Sequence, residues 1–227
     1  MGAIRAVIFD LDDTLYPERQ YAFSGFAAVA AAFRAQLGDP IETIDAMRHF
    51  FDSKLRSRLF DALLAERGIA RDQSLIQRMI EAYRTHLPEI GLYPDADAAL
   101  ARLRGKHKLG LLTDGPSVSQ WAKIDALKLR GRFDEIIVTS ELGPNCAKPQ
   151  TDAFQLISHR LGIEAPGCAY VGDNSAKDFI APNALGWVTV QVTRPDGIYF
   201  GSVAPIAGAP HFTVDTLDDL DGILSAA

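Results

Sequence analysis

Two carboxylates two residues apart, Asp10 and Asp12, are followed by a hydroxyl near the start of the chain, in the stretch Phe9-Asp10-Leu11-Asp12-Asp13-Thr14-Leu15-Tyr16. In extended backbone, positions 10 and 12 point the same way, so Asp10 and Asp12 can face one pocket. Carboxylates this close repel unless a cation or a shared proton intervenes. A hard divalent ion such as Mg2+ would relieve the repulsion and would also hold a phosphate. One carboxylate can then act as a nucleophile, giving an aspartyl-phosphate, while the other carries protons as general acid and base. Without that chemistry the stretch is a polar turn after a strand, with Asp13 and Thr14 as turn residues.

The elements that would hold such a pair follow from the pattern around it. Residues 4–9 are short, mostly apolar and β-prone, which predicts a buried parallel strand whose carboxyl end carries the acids. Ligands bind at that end of open α/β sheets. Residues 108–113 predict a second strand, closed by Thr113, Asp114 and Gly115. Gly115-Pro116-Ser117 then opens a helix with Trp121, Ile124 and Leu127 on one side. A strand-end hydroxyl with backbone N–H groups behind it suits a phosphoryl oxygen, and equally a Ser/Thr cap of the turn. Residues 133–139 predict a third strand, leading to Lys148-Pro149 and a helix carrying Phe154, Leu156, Ile157 and Leu161. The proline restricts the Lys148 backbone, and the ammonium can reach inward to offset phosphate and carboxylate charge. Left to itself, a loop lysine is solvated.

Residues 169–174 predict a fourth strand, ending in Gly172 and Asp173, with Asp178 five positions on. Gly172 permits close backbone approach, and acids here also suit a helix N-terminus. Residues 187–193 predict a fifth strand. Residues 194–210 read as a long loop in which Arg194, Ile198 and Tyr199 either touch a substrate or hold the loop. A last short strand spans 211–214, and Thr216 starts a helix through Leu217, Leu220, Ile223 and Leu224. Upstream, Pro94 or Asp95 starts a helix that ends near Gly105. The pattern is that of a doubly wound α/β domain with a mostly parallel sheet.

Residues 20–87 break the α/β pattern with three apolar stripes at helical spacing. Phe23, Phe26, Ala30, Phe33 and Leu37 form the first, stopped by Gly38-Asp39-Pro40. Ile44, Met47, Phe51 and Leu55, extended by Leu59 and Leu63, form the second, and Gly68 ends it. Ile76, Met79, Ile80, Tyr83 and Leu87 form the third, closed by Pro88. The organisation expected is a core of residues 1–16 and 91–227 with a helical insert over 17–90. Arg48, His49, Lys54, Arg56 and Arg58 make a basic cluster in the insert, either a solvated face or a substrate-recognising edge.

Asp10-Leu-Asp12-Asp-Thr14 resembles the first motif of the haloacid dehalogenase (HAD) superfamily. Thr113 resembles its second, Lys148-Pro149 with Phe154 its third, and Gly172-Asp173 with Asp178 its fourth. The four matches fall in the family's order and run from residue 10 to residue 178. The resemblance implies a helical cap over the active site and hydrolysis of a small phosphomonoester with Mg2+. In that scheme Asp10 is the nucleophile and Asp12 the general acid and base. Thr113, Lys148 and the backbone around Asp114 and Gly115 bind phosphoryl oxygens. Asp10, Asp173, Asp178 and the carbonyl of Asp12 place the metal, Asp178 acting through water or through Lys148. A phosphomutase keeps the same residues. A dehalogenase needs no metal and typically replaces Asp12 in this family, and a retired fold would serve only as a binding module.

Composition narrows the partners. The chain of 227 residues is 48% hydrophobic, enough for a developed core, and its net charge of −6 disfavours nucleic acid and anionic membranes. No apolar run approaches the roughly 20 residues needed to span a bilayer, and no basic-then-apolar leader opens the sequence. Cys146 and Cys168 are the two cysteines, without metal-type spacing, so reduced thiols and a cytoplasmic location are expected.

Overall fold

The computed structural model describes residues 3–53, 55–201 and 205–226. Six strands, β1 (Ala6–Phe9), β2 (Lys108–Thr113), β3 (Glu135–Val138), β4 (Cys168–Gly172), β5 (Val188–Val192) and β6 (Phe212–Val214), form one sheet in the order β3-β2-β1-β4-β5-β6. Every neighbouring pair is parallel. All four residues of β1 are buried, as a strand covered on both faces must be. Its register, Phe9 beside Leu111 and beside Val171, brings the tips of β2 and β4 level with Asp10. The order of connection reverses between β1 and β4, so Asp10 and Asp173 flank the crevice where such sheets bind ligands.

The chain divides into two compact units, one of residues through Glu18 together with Ile90 onward, the other Arg19–Glu89. In the first unit the sheet packs between helices. Ala6 and Ile8 of β1 join Tyr170, Phe154, Phe179 and Trp187 in a buried cluster, where the Phe154 and Tyr170 rings meet edge-on at 5.0 Å. Phe154 comes from α8 (Asp152–Leu161). Opposite, Phe9 meets Phe133 edge-on at 6.4 Å. The remaining helices of this unit are α6 (Pro94–Leu103), α7 (Ser117–Ala126), α9 (Ile180–Ala184) and α10 (Leu220–Ala226). Pro182 sits in the first turn of the short α9, where its missing N–H is no loss. At Thr216 the expected helix opens as a 3-10 turn, Leu217–Asp219, capped by the threonine hydroxyl.

The second unit is all helical, built from α1 (Glu18–Ala32), α2 (Arg34–Leu37), α3 (Pro40–Asp52), α4 (Leu59–Glu66) and α5 (Gln73–Thr85). Asp39 caps α3 by accepting from the N–H groups of Ile41 and Glu42, with Pro40 in the first turn. The second apolar stripe is interrupted rather than continuous. At Ser53 the hydroxyl donates to the Phe50 carbonyl at 2.8 Å and accepts from the Leu55 N–H at 3.1 Å, replacing helix bonds with local ones. Leu55 is consequently 44% exposed. Leu87 also leaves its stripe, 90% exposed, because the helix has ended and Pro88 disfavours helical backbone at residue 87. Of the basic cluster, Arg48 stacks over Phe23 and Arg56 over Phe51, while Lys54 lies outside the described residues.

Within this unit α1 and α5 approach closely at Gly25, where an added Cβ would lie 2.5 Å from the Tyr83 ring. The ring cannot yield without disturbing its edge-on contacts with Tyr21 and Phe60. Gly25→Ala should therefore destabilise the protein by about 1–3 kcal/mol of overpacking, less the ~1 kcal/mol that alanine returns as a better helix former. Urea unfolding followed by circular dichroism measures it. A stabilising substitution would mean that the two helices are not this close.

Candidate active site

The residues that sequence spacing singles out meet at the carboxyl ends of β1, β2 and β4. Asp10 follows β1 directly, its N–H donating to the Val171 carbonyl at 2.9 Å. Lys148, from the loop before α8, has a fully buried side chain. Its ammonium donates to Asp10 Oδ1 at 2.6 Å, to Asp178 Oδ1 at 2.7 Å and to the Tyr170 hydroxyl at 2.9 Å. Asp178 reaches this position because Gly172 carries no side chain; a Cβ there would lie 2.5 Å from Asp178 Oδ2. The same Oδ2 accepts from the Asn174 N–H at 2.9 Å. Asp173 is steadied by Gln191, whose amide donates to its carbonyl at 2.9 Å, and its Oδ1 accepts from Thr14 at 3.4 Å.

Asp10, Asp173 and Asp178 each offer an oxygen within 4.8 Å of the others. Burial, partly countered by Lys148 and reinforced by Asp178, raises the Asp10 carboxyl to about 6. Burial and the charges of Asp178 and Asp10 push Asp173 well above the usual carboxylate range. The Lys148 ammonium bonds two of these three crowded acids, Asp10 and Asp178. An all-oxygen donor set with an excess of negative charge fits a hard divalent cation.

Asp12 faces another way. Its carboxylate turns to α7, where Lys123 Nζ donates to Oδ1 at 2.7 Å and the Gln120 amide to Oδ2 at 3.1 Å, while the Tyr16 hydroxyl donates to Oδ1. Burial alone would raise this acid, but the charge and hydrogen bond of Lys123, with bonds from Tyr16 and Gln120, hold it below its ordinary value. The Asp12 carboxylate is therefore not among the three that converge. Thr113 accepts from the same Gln120 amide, which links the two tips. The Asp114 carboxylate braces the loops, accepting from Thr139 at 2.8 Å, the Lys148 N–H at 3.2 Å and Lys177 at 3.3 Å. Gly115, at φ +131°, keeps its backbone close to Gln120.

Contributors that spacing did not single out include Gln120, Lys123, Tyr170, Lys177, Gln191 and Thr139. Gln120 and Lys123 share the buried face of α7 with Ile124, and that mix of polar and apolar residues was the available signal. Trp121, expected on that face, instead donates its ring N–H to Glu141 at 2.7 Å and lies under Arg130. Arg194 proves to be a strut: it is 7% exposed, pairs with Asp95 at 2.8 Å and donates to the Thr14 carbonyl at 3.0 Å. Asp13 accepts from the Ile198 N–H at 2.7 Å and so ties the same loop to the β1 tip. Cys146 and Cys168 are unpaired.

A doubly wound parallel sheet whose connection order reverses between β1 and β4, with acids on both tips and a buried lysine between them, is the arrangement that the four motifs resemble. The chain belongs to the haloacid dehalogenase-like hydrolase family, which it matches over residues 4–186. It is 33% identical to a glyceraldehyde 3-phosphate phosphatase of Methanopyrus kandleri, covering 84% of each chain. It is 24% identical to the human N-acylneuraminate-9-phosphatase over 100% of this chain and 96% of that one. Among solved structures, the HAD hydrolase YfnB of Bacillus subtilis, bound to magnesium, superposes with a TM-score of 0.72 at 19% identity, covering 98% of this chain and 99% of that one.

Protons and a divalent cation should compete for the acid cluster. Asp10, raised to about 6, and Asp173, raised well above the usual carboxylate range, favour the folded state when protonated. In metal-free protein that contribution is present at low pH and is lost as pH rises through those values. A cation replaces the lost protons, so the melting-temperature gain from a divalent cation over EDTA should be larger at pH 7.5 than at pH 5. Scanning fluorimetry across that range reads it; a gain that is flat or larger at pH 5 would remove Asp10 and Asp173 from the cation site.

Proposed function

We propose that the protein hydrolyses a small-molecule phosphomonoester with Mg2+, through a phosphorylated Asp10. The observation that carries this reading is the division of labour between two aspartates on one strand tip. Lys148 holds Asp10 Oδ1, which leaves Oδ2 to attack phosphorus in line with the departing alcohol. Mg2+ held by Asp10, Asp173 and Asp178, with the Asp12 carbonyl, supplies charge neutralisation for the phosphoryl group. Thr113, Lys148 and the backbone around Asp114 and Gly115 receive its oxygens. Asp12 protonates the leaving oxygen and then takes a proton from the water that cleaves the acyl phosphate. Lys123 keeps Asp12 ionised at rest. Its acid role then draws on a proton arriving with the substrate, which phosphomonoesters carry below a second pKa of about 6.

Relatives named as phosphatases of glyceraldehyde 3-phosphate, N-acylneuraminate 9-phosphate and ribulose 1,5-bisphosphate support a phosphorylated carbohydrate as the substrate class. Two unpaired cysteines are in keeping with a reducing cytoplasm. The helical unit acts as the cap that selects among phosphoesters, because the polar strand tips address only phosphate and metal. Phosphate release across a panel of sugar phosphates, phosphoglycolate and nucleotides, with Mg2+ and with EDTA, tests the activity. Substitutions at Arg48, His49, Arg56 or Arg58 should reorder that panel; an unchanged order across single substitutions of the unit would place selectivity in the core.

The two aspartates separate cleanly. Asp10→Asn should form no covalent intermediate. Asp12→Asn should lose about 10²–10⁴-fold in turnover. With an aryl phosphate, whose leaving group needs little protonation, Asp12→Asn should still load Asp10 and retain the phosphoryl group. Intact-mass spectrometry after acid quench would show one added phosphoryl group in Asp12→Asn alone. Equal accumulation in both variants would exclude Asp10 as the nucleophile.

A further inference from the structure

The opposite end of the sheet carries a second concentration of charge. Where β1, β2 and β3 begin, a groove of about 470 Å³ is lined by Arg5, Arg104, Lys106, His107, Lys108 and Arg132, with Asp134 the acid among its lining residues. Five permanent cations thus gather around one carboxylate, on a chain whose net charge is −6. That carboxylate is already committed. Asp134 Oδ1 accepts from Lys108 at 3.0 Å and Oδ2 from the Leu109 N–H at 2.8 Å. Lys106 leans away to Asp221 at 3.3 Å, and Arg132 to Asp97. Arg5 and Arg104 have no side-chain hydrogen bond or ion pair among the described residues, and both are exposed. His107 has Nδ1 3.1 Å from the Ile4 carbonyl, so that nitrogen carries the proton and Nε2 is left for the groove.

The groove is open at its glycines. Gly105, at φ +85°, turns the chain between α6 and β2, and a Cβ at Gly105 or Gly131 would meet nothing within 4 Å. Phe133 and Ile163 supply an apolar wall. Arg104 acts on the Asp134 carboxyl only through its charge, so both guanidiniums keep their N–H donors for an anion, and guanidinium suits bidentate phosphate or carboxylate. The volume is that of a small-molecule site, and the chain's overall negative charge opposes a long polyanion.

We propose that this groove is a second, non-catalytic site for a small polyanion bearing two phosphate or carboxylate groups, held chiefly by Arg5 and Arg104. It lies at the amino ends of the strands, whereas the catalytic aspartates lie at the carboxyl ends, so its occupancy is independent of the proposed chemistry.

Inorganic pyrophosphate titrated into the 15N-labelled full chain in EDTA tests this by amide shifts. Two separable sets of shifts are expected, one at Gly105, His107 and Gly131, the other at Thr113 and Gly115. In Arg5→Ala/Arg104→Ala the first set should require at least tenfold more pyrophosphate, with the second set and the phosphatase rate unchanged. Arg5→Lys/Arg104→Lys, which keeps the charge, should recover part of the affinity. The proposal is overturned if shifts occur only at the β2 carboxyl end, or if the double alanine variant titrates like the parent. It is equally overturned if a single-stranded oligonucleotide displaces pyrophosphate from the groove at lower concentration, which would make the surface one for nucleic acid.

Discussion

A single buried ammonium organises the catalytic end of this molecule. Lys148 has no exposed side-chain surface, and its three hydrogens go to Asp10, Asp178 and Tyr170. Burial works against the charge, yet the two aspartates hold the ammonium well above its ordinary pKa. Removing one member of such a buried set typically costs about 3–5 kcal/mol, because the partner is left charged and alone. The loop before α8, the turn after β4 and the tip of β1 are thereby held to one another. Asp114 adds a second tie, gripping the Lys148 backbone while pairing with Lys177.

The same residue type serves two purposes two positions apart. Asp10, pressed between acids in a buried crevice, is pushed upward, and Asp12, against Lys123, is held down. The difference comes from which helix or loop each carboxylate meets, since both leave the same strand. Glu18, just beyond, is raised to about 8 by burial and by the charge of Asp12.

Most of the architecture was legible because its signals are local. The strands announce themselves as short apolar runs ending in polar residues, and all six occur where that texture predicted: β2 over its expected range, β4 beginning one residue early and ending two early, and the others shortened by a residue or two. The four motif stretches fall in one order along the chain, and their residues meet at one end of the sheet. Less legible was whatever depends on partners remote in sequence. Lys123 reads as a solvated helix residue until Asp12 is placed against it, and Tyr170 reads as a core aromatic until its hydroxyl meets Lys148. The break at Ser53 is a contest between one hydroxyl and the helix backbone, which an apolar period cannot register. Arg194 sits in a stretch without periodicity, and only the fold shows that it fastens that stretch to Asp95 and Thr14.

The chain leaves the core after Leu15 and returns at Tyr93, and the Tyr93 N–H donates to the Leu15 carbonyl at 2.9 Å. Departure and return are thus stitched together on the core side, a few residues from Asp10. Whatever is threaded between those two points starts and finishes at a fixed gate, so its length and sequence can drift without dragging Asp10 or Asp12 out of place. Such a junction makes the insert exchangeable: a module can be replaced there while the strand tips that carry Asp10 and Asp12 keep their places.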